Sequence, residues 1–137
     1  MGNENLRTIV LDWLGGMRFS GGAPEGPRTF VDADGEAAPG PLLGLLIAAA
    51  SCAGADIVSL LPKMQVSLKE FRTTLQGVRR PEHPKRFVSL HFTFRLRGDG
   101  LDEIKARRAI DLSIQKYCSV LNSLNPDIPV TYDLDLG

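Results

Sequence analysis

The run from Pro41 to Leu61, PLLGLLIAAASCAGADIVSLL, sets the strongest limit on how this chain folds. Proline suits the first turn of a helix, and Pro62 marks its expected end. Wound at about 1.5 Å per residue, the run makes a helix roughly 30 Å long, the width of a small domain. Only Ser51, Asp56 and Ser59 interrupt its apolar surface with polar side chains before the end. A helix apolar nearly all round has to be covered on every side. Strands of a short chain supply one face, so a second subunit is the expected cover for the other. The small residues Ala48, Ala49, Ala50, Ala53, Gly54 and Ala55 permit close approach of another helix.

The same run bears on location. Its strongest apolar part, Leu42 to Ala55, is short for a bilayer and is closed by Asp56, as in a buried core helix. The start, MGNENLRTIV, has neither a basic segment nor a long apolar one, so it does not read as a signal peptide. Leu6 stands where a myristoylation signal calls for Ser or Thr. A cytoplasmic protein without membrane attachment is expected. The formal net charge is zero, with 16 basic and 16 acidic residues, which disfavours a nucleic-acid partner. A length of 137 residues suits a single domain over 1–137.

Around the central helix the pattern alternates. Leu6–Leu14 and Met17–Ser20 read as strands joined by a turn at Gly15-Gly16, where both positions tolerate positive φ. A glycine- and proline-rich loop from Gly21 to Pro27 leads to a third strand over 28–33 and a turn-rich linker over 34–40. Beyond the helix, 64–80 is strand-like, with its alternation slipping near Glu70-Phe71 as at a bulge. Residues 87–97 form the clearest strand, placing Val88, Leu90, Phe92, Phe94 and Leu96 on one face. Asp102 and Glu103 open a second helix, where negative charge suits the helix dipole. That helix is expected to reach Leu124, with Ile110, Ile114, Tyr117, Leu121 and Leu124 as its apolar stripe. Asn125-Pro126 stops it, and 130–136 alternates as a last strand. The order βββ–α–ββ–α–β predicts an α+β fold with antiparallel sheets, a long buried central helix and a second amphipathic helix.

The chain has two cysteines, Cys52 in the central run and Cys118 in DLSIQKYCSVLNSL. No CxxC or HxxxH spacing supports a structural zinc site, and no cofactor is expected. In a reducing compartment two thiols read as free or as a redox-active pair rather than as a structural staple. Each also has a simpler reading, as a small hydrophobe packed in a core. Asp56, four residues after Cys52, shares its helix face and opposes ionisation of that thiol.

The segments GPLLGLLIAAASCAGADIVSLLPKM, HPKRFVSLHFTFRLRG and RAIDLSIQKYCSVLNSL, with cysteines 66 positions apart, resemble the osmotically inducible protein C / organic hydroperoxide resistance (OsmC/Ohr) family, in its OsmC-like branch. The resemblance covers essentially the whole chain. It implies an intertwined homodimer with the cysteine-bearing helices at its core. It also implies a peroxiredoxin-like thiol peroxidase that reduces organic hydroperoxides, an antioxidant stress-response activity renewed by an external dithiol. Cys52 matches the peroxidatic cysteine and Cys118 the resolving one. An arginine of the N-terminal strands completes such sites, and Arg18 is the candidate, ahead of Arg28. The family's glutamate, about nine residues before the first cysteine, falls on Leu43 here. That departure keeps two other readings in view on the same scaffold: a non-catalytic module for a small hydrophobic ligand, and a redox sensor.

The remaining chemistry-bearing residues have plainer roles. His91 lies on the face of its strand opposite Phe92 and Phe94, as a solvated or hydrogen-bonded histidine does, and His83 sits in a proline turn. Arg79, Arg80, Lys85 and Arg86 form a basic hairpin tip that favours solubility. Trp13, Met17, Phe19 and Phe30 are expected in the sheet core or lining an apolar pocket.

Overall fold

The computed structural model describes residues 4–137. The Met1-Gly2 start weighed above as a lipidation signal lies outside them. The chain divides into two compact units, residues 1–45 and 46–137.

The first unit holds a three-stranded antiparallel sheet in the order β1-β2-β3, with β1 Val10–Gly15, β2 Arg18–Gly22 and β3 Thr29–Asp32. Gly15 pairs with Arg18, so the turn itself falls on Gly16-Met17, one residue later than expected. Both glycines have positive φ, 103° and 60°, which explains the Gly-Gly pair. Arg28 ties the strands together. Its guanidinium donates to Asp12 Oδ2 at 2.9 Å on β1, and to Ser20 Oγ at 2.9 Å and Ser20 O at 2.7 Å on β2. The buried Asp32 carboxylate organises the linker that follows by accepting from the backbone N–H of Asp34, Glu36 and Ala37. These bonds, led by that from Ala37, hold its pKa below the ordinary carboxylate value. The expectation that Trp13, Met17 and Phe30 are sheet core is corrected within this chain. They are 69%, 47% and 58% exposed, because three short strands have one thin layer and none of the described residues of the unit covers it.

Helix α1 runs from Pro41 to Lys63, two residues beyond the expected end. Pro62 is tolerated in the last turn, and the chain turns away through Gln65 in the left-handed region at φ 66°. At 23 residues α1 is long and apolar enough, by length and composition, to cross a bilayer, where the shorter run Leu42–Ala55 is not. Its buried residues Ala49, Ala53, Ile57 and Leu61 recur every four positions, the spacing of a stripe packed on a core. Gly54 belongs to that stripe: a Cβ there meets the Phe71 ring at 3.2 Å. Val58 and Ile47 lie outside the stripe and are exposed.

In the second unit β4 (Ser67–Arg79) and β5 (Phe87–Asp99) form a long antiparallel hairpin, and β6 (Val130–Asp135) completes the order β4-β5-β6. The slip expected near Glu70 is a register shift between Leu68 and Glu70. Leu90, Phe92, Phe94 and Leu96 are buried, and Phe92 and Phe94 stack with ring centroids 5.0 Å apart. His91 on the other face hydrogen-bonds Thr131 and Asp133 of β6. Two expectations are corrected here. First, β6 lies parallel to β5, so this sheet is mixed. The long helical crossover between the two strands is the connection that parallel pairing requires. Second, the helix expected from Asp102 to Leu124 is interrupted. Helix α2 spans Glu103–Leu112, capped by Asp102 accepting from Lys105 N at 2.8 Å. It then widens into a π-turn at Ser113–Tyr117, and a short 3-10 turn follows at Leu121–Ser123. Tyr117, expected on the apolar stripe, is exposed.

Candidate functional site

Cys52 sits mid-way along α1 and is half-buried. Cys118, expected inside a helix, caps the π-turn in an extended conformation, φ −71° and ψ 101°. Its N–H donates to Ser113 O at 2.7 Å, five residues back, which is the bond that makes the turn a π-turn. Its carbonyl accepts from the Asn122 N–H at 3.0 Å and from Asn122 Nδ2 at 2.8 Å. The extra residue in the turn swings the side chain inward, and Cys118 is fully buried.

The two cysteines converge. Cys118 Sγ lies 3.9 Å from the Ala49 carbonyl, one turn of α1 before Cys52. The Cys52 thiol is near enough to it to raise its pKa. Both are free thiols. Burial pushes the Cys118 thiol up to about 11. The neighbouring Cys52 adds to the rise, while the Leu121 N–H, donating to Sγ at 3.5 Å, opposes it. At neutral pH Cys118 is therefore a protonated thiol, and only a small thiolate fraction is available to react.

Sequence reasoning placed Asp56 on the Cys52 face but passed over Ser113, which binds it. Ser113 Oγ donates to Asp56 Oδ2 at 2.9 Å and lies 3.4 Å from Ala53 O. The Asp56 carboxylate thus has a partner on the Cys118 segment. The position of Asp56 one turn after Cys52 was the available signal, but a serine on another element has no signature in the sequence.

Arg18 lies in the first unit and is exposed. Its charge acts on Asp32, and with Phe19, Phe30, Leu14 and Val31 it lines a mostly apolar cavity of about 250 Å³. Arg28, by contrast, bonds Asp12 and Ser20 through its Nε and Nη2, a structural role.

The family profile described as OsmC-like protein matches residues 33–133. The chain belongs to the OsmC/Ohr family. This OsmC-like chain is 32% identical over 125 residues to protein YhfA of Escherichia coli K12, a match covering 90% of this chain and 93% of that protein. A crystal structure of a hypothetical protein from Aquifex aeolicus superposes with a TM-score of 0.82 at 25% identity, covering 96% and 97% of the two chains. The organic hydroperoxide resistance protein OsmC of Legionella pneumophila shares the fold, with a TM-score of 0.68 at 17% identity over 97% and 100% of the chains.

Proposed function

We propose that this OsmC-like chain is a thiol-dependent peroxidase for organic hydroperoxides, working through Cys52 and Cys118. The observation that carries the reading is the convergence of the only two thiols, one half-buried and one fully buried. Membership of the OsmC/Ohr family, with relatives that include a Legionella organic hydroperoxide resistance protein, supports a peroxide-related redox role.

In this reading the more accessible Cys52 reacts first. Its thiolate attacks the distal oxygen of ROOH and the O–O bond breaks. Cys52 becomes a sulfenic acid and RO⁻ leaves, taking a proton to become ROH. The Cys118 sulfur then attacks the Cys52 sulfur, water departs, and a Cys52–Cys118 disulfide forms. An external dithiol reduces that disulfide and is itself oxidised to its disulfide. By resemblance Arg18 supplies the guanidinium that hydrogen-bonds the peroxide and favours the thiolate. The protein acts as a cytoplasmic homodimer. The exposed Ile47 and Val58 of α1 and the exposed Trp13 and Phe30 of the first sheet support a covering second copy.

The test mixes fully reduced protein with cumene hydroperoxide and counts free thiols and peroxide. The expected result is the loss of both thiols for each peroxide consumed, with Cys52→Ser inert. Folded wild-type protein that leaves both quantities unchanged overturns the reading. A second reading, a module that holds a small hydrophobic ligand, is favoured by Leu43 at the family's glutamate position and by the apolar cavity beside Arg18. Native mass spectrometry showing a co-purifying apolar compound retained by Cys52→Ser supports it.

A further inference from the structure

We propose that the Asp56–Ser113 hydrogen bond is a pin that sets the register of the two cysteine segments, and that both residues position Cys118 for disulfide closure with Cys52. The inference rests on the reading of Cys52 and Cys118 as a pair that joins.

The geometry links the cysteines through a single residue. Asp56 lies one helical turn after Cys52, on the same face of α1. Ser113 Oγ donates to its Oδ2 at 2.9 Å, a charge-assisted bond. The Ser113 carbonyl accepts the Cys118 N–H at 2.7 Å. Ser113 N–H is itself held by the carbonyls of Ala109 and Ile110, so its backbone is anchored to α2. The hydroxyl of a fully buried serine thus fixes α1, and its carbonyl fixes the cysteine. A disulfide tolerates Cα separations of only about 4.4–6.8 Å, with a narrow range of torsions. A π-turn is a poorly self-supporting element, and it holds such tolerance only with outside contacts. Removing the pin leaves Cys118 in the core but frees the π-turn to slide along α1.

When the pair closes, two thiols lose two protons and two electrons to an oxidant and one S–S bond forms. Oxidised glutathione accepts them and becomes two reduced glutathiones. Equilibrating the protein in glutathione buffers therefore reads closure without any peroxide. The comparison uses wild type, Ser113→Ala, Asp56→Ala, Ser113→Thr and Asp56→Asn, with the disulfide fraction determined by alkylation and mass spectrometry. Both alanine variants are expected to need about tenfold more oxidising buffer at the midpoint, a shift of about 30 mV for a two-electron couple. Ser113→Thr keeps the hydroxyl and Asp56→Asn keeps an acceptor oxygen, so both stay within about threefold of wild type by the same relation. Alanine variants that share the wild-type midpoint overturn the pin. An asparagine variant that falls as far as alanine also overturns it, because charge rather than the bond is then responsible. The two proposals fail separately. Wild type that closes in glutathione but consumes no hydroperoxide defeats the peroxidase reading and leaves the pin standing. Wild type that closes in no buffer defeats both.

Discussion

Replacing Cys118 with alanine should cost stability at neutral pH and restore it in base. The thiol is buried, and its pKa rises from 9.0 to about 11 on folding. Below pH 9 the folded and unfolded chains both hold the proton, so the packing contribution of the sulfur is fully present. Between 9 and 11 the unfolded chain releases the proton while the folded chain keeps it. The unfolded state then binds fewer protons, and stability falls as pH rises. Each pKa unit is worth about 1.4 kcal/mol, so the full loss above pH 11 is of order 2.7 kcal/mol, with about half reached at pH 10. The alanine variant has no such group. Its cost at pH 7 is that of a small cavity, about 1 kcal/mol. At pH 10 that cost should vanish or reverse. The assay is urea unfolding of wild type and variant, both kept reduced, at pH 7, 8, 9 and 10. Comparing the two chains cancels the contributions of lysines and tyrosines. A difference that stays constant across the series refutes the argument. Cys52 contributes to the rise, so the thiolate absorbance of Cys118 in Cys52→Ser should titrate below about 11 but above 9.0.

Leu43→Glu, which supplies a carboxylate at the family position, should raise the rate of cumene hydroperoxide consumption. Because Leu43 is 57% exposed, the change should alter stability by less than about 0.5 kcal/mol in urea unfolding. Arg18→Ala should slow peroxide consumption at least tenfold with little effect on unfolding. Arg28→Ala should do the opposite, costing about 1–2 kcal/mol through its bonds to Asp12 and Ser20 while leaving the thiol chemistry intact. Phe94→Ala, which removes a fully buried ring packed against Phe71, Phe92 and Tyr132, should cost about 3–5 kcal/mol by thermal or urea unfolding.

The legible parts of the fold are those where burial imposes a period. Phe92 and Phe94 announce β5 because a strand with one covered face must alternate, and the slip at Glu70 announces a bulge for the same reason. Asp102 and Glu103 announce the start of α2 because negative charge at a helix N-terminus acts locally. What stayed hidden is decided by partners distant in the chain. Alternation from 130 to 136 marks a strand but not its direction, and β6 runs parallel because of the crossover that precedes it. The periodicity of α2 continues through Tyr117 and Leu121, so nothing local marks the break. Trp13 and Phe30 look like core because they are large and apolar, yet the described residues of the unit that carries them place no second layer over them.

The break in α2 and the meeting of the thiols have one cause. Had the helix continued regularly to Leu124, each residue past Ser113 would have kept its α-helical bearing. The stripe would then have set Tyr117 against the core and Cys118 at its edge, as the spacing suggests. The structure does the reverse: Tyr117 is exposed and Cys118 buried. One additional residue in the turn, marked by the Cys118 N–H bonding five residues back to Ser113, rotates the following side chains by about 100°, one residue's worth of an α-helix. Ser113, where the widening starts, is also the residue bonded to Asp56. Two thiols of the same intrinsic chemistry thereby become unlike. One stays on a regular helix, half-buried. The other is turned into the core, where burial keeps it protonated at neutral pH.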